Sequence, residues 1–238
     1  MSRYGILNLT SNNAPYTYFD EIKERYYERL GVLYRRVLNE PKDREKGANE
    51  MIYVSECAHP SGVPVMLEKF QWALGAVLDE PGWADCEYIV RTNASTFINL
   101  ELLDGALSRL PRRRCYAGSV VFGRLVSGTC IVISKDVARY LARAGISRYK
   151  ESYDDVAISR LMDRRLIRMR DIPMCFFIDN AIHDMDTIRD ALSRFALIRV
   201  KNDENRMLYD IDVWNKIASI KGIPLPGGAA PEGEAVSR

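Results

Sequence analysis

The sequence predicts an α/β fold, a single domain in which a Rossmann-like mixed sheet is flanked by helices. Two patterns predict it. Strand-like apolar runs alternate with helical patterns as far as about residue 110, which favours parallel βαβ units. Short strands then cluster in the second half of the chain. The hydrophobic content of 47% in 238 residues is sufficient for one buried core.

Each predicted element rests on the spacing of its apolar residues. In the longest predicted helix, apolar residues from Phe19 to Val37 recur at spacings of three and four. The predicted helices cover residues 19–38, 65–78, 100–110, 135–144, 155–164, 187–195 and 212–220. The predicted strands cover residues 4–10, 51–54, 86–90, 115–122, 130–133 and 174–178. We expect a folded domain over residues 1–221 and a flexible tail, rich in Pro, Gly and Ala, over residues 222–238.

Composition argues against several classes of partner and location. The net charge of +2 gives no reason to propose nucleic acid or an anionic membrane. The five cysteines have no CxxC spacing, and an odd number in apolar surroundings is typical of free thiols in a reducing compartment. No stretch reaches the roughly 18 apolar residues of a membrane span, and no signal-peptide pattern opens the chain. We therefore expect a cytoplasmic protein with no nucleic-acid partner and no membrane span.

A polar loop, residues 91–96, follows the predicted strand over residues 86–90. Ligands of open α/β sheets bind just beyond the carboxyl ends of strands. Arg91, Asn93 and Ser95 offer a cation, an amide and a hydroxyl, which suit phosphates and sugar hydroxyls. The alternative is a polar strand-to-helix turn in which Asn99 caps the next helix.

Two later segments add candidate groups. Gly128, after Ser127, allows backbone to approach a ligand closely, although a plain turn fits equally well. Ser134 and Asp136, further along the same segment, suit the capping of a helix. Asp154 and Asp155 offer carboxylates that could accept a proton, or could only favour a helix N-terminus through its dipole. The residue types alone therefore do not decide between a functional and a purely structural role for these side chains.

The order of these segments resembles that of β-1,3-galactosyltransferases and Fringe-like glycosyltransferases. In that family a strand ends in Lys-x-Asp-Asp-Asp-x-Phe-x-Asn, whose "DxD" holds a divalent metal on a nucleotide sugar. Here Arg91 stands at the lysine and residues 96–99 match the tail, while Asn93, Ala94 and Ser95 replace the three aspartates. Residues 127–138 resemble the family's Ser-Gly-x-Gly-Tyr-x-x-Ser-x-Asp-x-Ala, without its second glycine and its tyrosine.

The third matching segment resembles the family's Glu-Asp-Val, whose aspartate is the general base of inverting transfer. Asp155 matches that base and Asp154 matches the glutamate. The resemblance covers about residues 67–161. It implies a GT-A fold and an enzyme that transfers a sugar, with inversion, from a nucleotide-sugar donor, UDP-linked, to a glycan hydroxyl.

The resemblance also implies a biological process and a set of residues that contact the donor and the acceptor. It implies polysaccharide or surface-glycan synthesis, with association with other enzymes of that process. Donor contacts are expected from the first strand's end, the degenerate motif and a basic C-terminal segment: Thr10, Ser11, Asn12, Arg91, Asn93, Ser95, Arg199, Lys201 and Arg206. Acceptor or sugar contacts are expected from Ser127, Gly128 and Asp154. For the basic segment, the alternative is a solvated basic turn.

The replaced aspartates bear on the cofactor. Mg²⁺ and Mn²⁺ prefer carboxylate oxygens, and Asn93 and Ser95 offer only neutral ones. We therefore expect metal dependence to be weak or dispensable, with basic residues stabilising the leaving diphosphate. His183 is a candidate metal ligand, with a surface histidine as the alternative.

Two other functions remain open at the level of the sequence. The first is a catalytically inactive GT-A domain that binds a glycan or nucleotide sugar, or that acts as a scaffold. The second is a nucleotide-sugar hydrolase or a nucleotidyltransferase. Nucleotidyltransferases usually have a Gly-rich phosphate loop after the first strand, and residues 8–15 contain no glycine.

Overall fold

A computed structural model describes residues 3–39, 47–53, 63–145 and 153–227. Cys57 and the last residues of the predicted tail, 228–238, lie outside these ranges. The strands are β1 (Tyr4–Leu9), β2 (Leu33–Asn39), β3 (Glu50–Tyr53), β4 (Tyr88–Asn93), β5 (Thr96–Ile98), β6 (Tyr116–Val121), β7 (Leu125–Ser134), β8 (Met169–Asp171), β9 (Met174–Phe177) and β10 (Leu197–Val200). The helices are α1 (Tyr16–Arg29), α2 (Val63–Val77), α3 (Leu100–Leu107), α4 (Lys135–Arg143), α5 (Asp154–Arg164), α6 (Met185–Arg194) and α7 (Arg206–Ile220).

Seven strands form the main sheet, in the order β3-β2-β1-β4-β7-β6-β8. Strand β7 is antiparallel to β4 and β6, whereas the other neighbouring pairs are parallel. Strands β5, β10 and β9 form a second, three-stranded sheet. The predicted fold class, a mixed sheet flanked by helices, is confirmed.

Side-chain alternation along β4 divides the core between the two faces of the main sheet. Val90 packs in the cluster that includes residues of α1 and α7, while Ile89 packs with residues of α2, α4 and α5. Arg91 and Asn93 follow Ile89 at intervals of two, so they share its face of the sheet. The carboxyl ends of β1, β2 and β4 meet at one edge, which is where open α/β sheets bind ligands.

The predicted helix over residues 19–38 is wrong in its second half. Helix α1 ends at Arg29, Gly31 follows with a φ of +65°, and β2 then pairs in parallel with β1. Leu33 and Val37 are four residues apart, a spacing that satisfies both the helical period of 3.6 and the strand period of two. The apolar pattern therefore could not separate the helix from the strand that follows it.

The predicted loop over residues 91–96 is mostly strand. Strand β4 extends to Asn93, the chain turns at Ala94 and Ser95, and β5 begins at Thr96. The polar end of β4 pairs with both neighbours, since Asn93 lies opposite Leu9 and Thr92 lies opposite Cys130. Ladder hydrogen bonds involve the backbone, so the strand continues past the apolar side chains from which it was predicted.

The second half contains strands that the pattern did not predict. Ser127 and Gly128 lie within β7, which begins at Leu125, and not in a turn. The basic segment includes β10, so the alternative of a solvated basic turn is wrong for Arg199. Strand β8 was not predicted, and α7 begins at Arg206, six residues before the predicted start.

Two predicted capping side chains form other hydrogen bonds. Asn99 and Ser134 occupy N-cap positions, but neither side chain accepts a hydrogen bond from its helix. The Asn99 amide donates to the Leu192 carbonyl at 2.7 Å. The Ser134 hydroxyl donates to Asp136 at 2.6 Å and accepts from the Cys115 backbone N–H at 2.9 Å. Both side chains therefore join elements that are distant in sequence.

Gly118 in β6 provides a stability test of this sheet. Its φ is +148°, and a Cβ there would lie 2.3 Å from the Cys130 carbonyl oxygen. We expect Gly118→Ala to lower the free energy of unfolding by about 2–5 kcal/mol, through backbone strain and overpacking. Urea denaturation of the variant and the wild type measures this difference in the free energy of unfolding.

Gly75→Ala is the matched control, since a Cβ at this α2 position meets nothing within 4 Å. That change should raise stability by about 0.5–1 kcal/mol through helix propensity. A Gly118→Ala protein with the wild-type denaturation midpoint would contradict the described packing of β6 on β7.

Candidate functional site

A cavity of about 290 Å³ opens at the carboxyl edge of the main sheet. Its walls come from the ends of β1, β2 and β4, from α1 and α2, and from the end of β10. Of the residues predicted to contact a donor, it contains Thr10, Ser11, Asn93, Ser95, Arg199 and Lys201. It also contains Tyr16, Met66 and Lys69, which were not predicted. The structure thus brings together the end of β1, the end of β4 and the turn after it, with Asn93 and Ser95, and part of the basic segment.

Lys69, on α2, is a buried cation in this wall. Its side chain is only 1% exposed, and its Nζ donates to the Thr10 carbonyl oxygen at 2.8 Å. Among the described residues, no carboxylate forms an ion pair with it. Burial, together with the nearby charge of Arg91, lowers the pKa of Lys69 from 10.5 to about 7.

Arg199, on β10, is a second cation with a neutral partner. Its guanidinium donates to the Asn93 side-chain oxygen at 2.6 Å, and that oxygen also accepts from the Thr96 hydroxyl at 2.9 Å. Burial lowers the pKa of Arg199 to about 10. An amide orients the guanidinium without neutralising it, so the positive charge remains available to a ligand.

The other two basic side chains of the segment differ from Arg199. Arg206 donates to Asp210 at 2.7 Å, to the Tyr16 hydroxyl at 2.7 Å and to the Ser95 hydroxyl at 3.2 Å. Its charge is therefore compensated by Asp210, which is fully buried. Lys201 is exposed at the mouth of the cavity.

A buried polar network lies beneath the cavity. Asp20 of α1 accepts from the Asn8 amide at 2.7 Å and from the Thr10 hydroxyl at 2.6 Å. Lys23, one turn further along α1, donates to the Asn93 carbonyl oxygen at 2.8 Å. Burial raises the pKa of Asp20 and lowers that of Lys23 to about 8. These contacts fix the ends of β1 and β4 relative to α1.

Lys69, Asp20 and Lys23 received no binding role from the sequence, although a signal existed. Asp20 and Lys23 lie within the apolar pattern of α1, one residue after Phe19 and one after Ile22. Lys69 lies next to Phe70 in the same way. Lysine side chains commonly extend their charged end to solvent, but Lys69 does not, since only 1% of the residue is exposed.

Four predicted residues form a second cluster around the start of β7. Arg91 is 2% exposed and donates to the Gly128 carbonyl oxygen and to Asp154. Asp155, at the start of α5, accepts from the Gly128 backbone N–H at 3.2 Å and from the Val156 backbone N–H at 2.8 Å. A Cβ at Gly128 would lie 2.8 Å from the Arg91 guanidinium, so a larger residue here would displace that side chain.

Three residues predicted to lie at the site belong neither to the cavity wall nor to the cluster around Gly128. They are Asn12, Ser127 and His183. Asn12 does not line the cavity. The Ser127 hydroxyl accepts from the Thr129 hydroxyl at 2.9 Å. His183 lies 2.9 Å from Asp179 and packs against the edge of Phe177. Within the described ranges, no group of three or more His, Cys, Asp or Glu residues is arranged to hold a metal.

The oxygen atoms that Asn93 and Ser95 offer do not fit a divalent metal. The Asn93 oxygen is occupied by Arg199 and Thr96, and the Ser95 hydroxyl accepts from Arg206. Both oxygens are neutral, and a hard cation there would face two guanidinium groups. The guanidinium groups of Arg199 and Arg206 therefore occupy the place where a metal would have to bind.

The comparisons with known proteins concern the fold. No protein-family model matches the sequence, and no curated protein matches it. A solved glycosyltransferase involved in the glycosylation of the major capsid of PBCV-1 is similar, with a TM-score of 0.53 and 11% identity over 88% of this chain and 98% of that chain. The chain has a glycosyltransferase fold. At this identity the likeness extends to the fold and not to individual residues.

In the described part of the chain, no helix is both long and apolar enough to cross a membrane. The described cysteines form no disulfide with one another: Cys86, Cys115 and Cys130 are buried and Cys175 is half-buried.

The buried charge of Lys69 predicts a gain of stability when it is removed. Because burial lowers its pKa to about 7 from 10.5, the unfolded chain binds more protons there, and the cost of burial is greatest below pH 7. At pH 6, Lys69→Met should raise the free energy of unfolding by about 1–4 kcal/mol. The gain should shrink as pH rises from about 7 toward 10.5. Urea denaturation at pH 6 and pH 9 measures it.

Lys201→Met is the control, since Lys201 is exposed and its removal should change stability by less than about 0.5 kcal/mol. A Lys69→Met protein that is less stable than the wild type at both pH values would show that Lys69 is a structural residue.

Proposed function

We propose that the protein is an inverting glycosyltransferase that moves a sugar from a nucleotide-sugar donor, UDP-linked, to a glycan hydroxyl. The observation behind the proposal is a cavity at the ligand-binding edge of a glycosyltransferase fold. Its wall contains a buried cation, Lys69, and a half-buried one, Arg199, and neither forms an ion pair with a carboxylate of the described residues. We also propose that it acts in polysaccharide or surface-glycan synthesis, that it is located in the cytoplasm, and that it associates with other glycan-synthesis enzymes.

In this proposal the cavity binds the donor. Its volume of about 290 Å³ lies just below the roughly 300–1,000 Å³ that is typical of small-molecule sites. Arg199 and Lys201 bind the diphosphate, with Arg206 beside them, and Thr10 and Ser11 contact the nucleotide. A cluster of fixed cations stabilises the charge that develops on the departing diphosphate, which is the electrostatic part of catalysis.

The proposed reaction uses Asp155 as the general base. The acceptor hydroxyl attacks the anomeric carbon from the side opposite the diphosphate, and Asp155 takes its proton. A bond forms between the acceptor oxygen and the anomeric carbon. The bond between that carbon and the diphosphate oxygen breaks, and its electron pair leaves with the nucleoside diphosphate. Arg91 and Asp154 position Gly128 and the start of α5, and therefore Asp155.

A second candidate function is an inactive GT-A domain that binds a nucleotide sugar or a glycan, or that acts as a scaffold. Two observations favour it. Each carboxylate oxygen of Asp155 accepts a backbone hydrogen bond, and Arg91 is held by Asp154 instead of facing the cavity. The buried charge of Lys69 favours a ligand in both cases.

The first experiment is a thermal-shift panel with UDP-, GDP-, CMP- and dTDP-sugars, each in Mn²⁺ and in EDTA. We expect UDP-sugars to raise Tm by roughly 5–10 °C at a hundredfold excess over Kd. The shift should be the same in EDTA, because protein cations bind the diphosphate. A shift that requires Mn²⁺ would refute metal-independent binding, and no shift with any nucleotide would favour the scaffold.

The second experiment tests the base. Asp155→Asn should lower kcat for sugar transfer by about 10²–10⁴-fold, since an amide cannot take the proton. The donor-induced rise in Tm should persist, because Asp155 does not line the cavity. Asp163→Asn is the matched control: it removes an exposed acid of the same helix and should leave kcat unchanged. Full transfer activity in Asp155→Asn would rule out this mechanism.

A further inference from the structure

Within the described part of the chain, Lys69 has no carboxylate ion-pair partner that would account for its burial. Among the described residues, its ammonium donates to a neutral carbonyl oxygen, that of Thr10, at 2.8 Å. Its side chain is 1% exposed, and it belongs to the wall of the cavity and not to the apolar core. A buried lysine ordinarily has a carboxylate nearby, since an isolated buried charge is costly. The described residues therefore leave this cation without an ion-pair partner at the place where a ligand would bind.

The charged groups around Lys69 come from three elements. Arg91 on β4 disfavours the protonated form, and Asp20 on α1 favours it. Arg199 on β10 lines the same cavity and adds positive charge. Asp20 does not compensate Lys69 fully, because its oxygens accept from Asn8 and Thr10 and it lies 3.7 Å from the Lys23 ammonium. A bound anion would supply the missing negative charge.

We propose that Lys69 binds the diphosphate of the nucleotide sugar directly, and that it takes up a proton from solvent as the donor binds. The inference rests on the proposed function, since it takes the cavity to be the donor site. It adds a binding residue and a consequence: donor affinity falls as pH rises through neutrality. Transfer of the sugar would then leave the protonated Lys69 next to the departing diphosphate, where its charge is most stabilising.

The direction of this pH dependence follows from the linkage between proton binding at Lys69 and donor binding. In the free protein burial lowers the pKa of Lys69 to about 7, so the amine is mostly neutral at pH 8. A neighbouring diphosphate favours the charged form and raises that pKa again. Binding at pH 8 therefore takes up close to one proton, and binding at pH 6 takes up about a tenth of one. The donor Kd should be roughly tenfold weaker at pH 8 than at pH 6.

The experiment is calorimetric titration with UDP-glucose at pH 6 and pH 8, in two buffers of different ionisation enthalpy. GDP-mannose and dTDP-glucose serve as further probes. A nucleotide sugar is a suitable probe because both phosphates of its diphosphate are esterified and neither titrates near neutrality. Any proton taken up is therefore bound by the protein. We expect heats that depend on the buffer at pH 8 and hardly at pH 6.

Three variants separate Lys69 from the rest of the site. Lys69→Arg remains charged at both pH values, so it should bind without proton uptake and without the tenfold pH dependence. Lys69→Met should bind at least tenfold more weakly than the wild type at pH 6, because the cation is lost. Lys201→Met is the matched control: it should weaken binding but keep the proton uptake, since Lys201 is an exposed lysine of the same cavity.

The outcomes distinguish this inference from the proposed function. Donor binding with no proton uptake at pH 8, and with the same pH dependence in Lys69→Arg as in the wild type, would overturn the role of Lys69 and leave the donor site intact. No binding of any of the three nucleotide sugars at either pH would overturn the donor site, and the inference with it.

Discussion

A buried hydrogen-bond network fixes the geometry of the whole ligand-binding edge. Asp20 and Lys23, from one turn of α1, bond respectively to the Thr10 hydroxyl at the end of β1 and to the Asn93 carbonyl at the end of β4. Both side chains are essentially without solvent contact, so each depends on these bonds for its burial. The same Thr10 offers its carbonyl oxygen to Lys69. One network thus positions a helix, two strands and a cavity wall.

The cavity combines charges of one sign in a poorly solvated place. Lys69 and Arg199 contact neutral oxygens, so their charges are oriented but not neutralised. Such an arrangement lowers the stability of the free protein, and a bound anion would relieve it. Arg206 differs from Lys69 and Arg199, because it pairs with the buried Asp210. Its charge stabilises the fold, whereas the charges of Lys69 and Arg199 have no such partner among the described residues.

The residues that follow the turn at Ala94 and Ser95 pack in the core. Phe97 is fully buried, with its ring 5.2 Å from that of Tyr26 and 5.8 Å from that of Trp214. Asn99 bonds to the Leu192 carbonyl and so joins β5 to α6. These residues join the turn at Ala94 to the core whether or not a metal binds there. Packing and hydrogen bonding therefore support the turn independently of its own polar side chains.

The sequence by itself determined the fold class, most elements and the residue types around the cavity, because apolar spacing and strand ends are local properties. It misplaced the end of α1, since the spacing of Leu33 and Val37 fits a helix and a strand equally. Only the tertiary structure decided that Arg199 meets Asn93, that Arg91 meets Asp154, and that Lys69 is buried. Those facts depend on contacts between residues up to 106 positions apart and on the exclusion of water, which local sequence patterns do not encode.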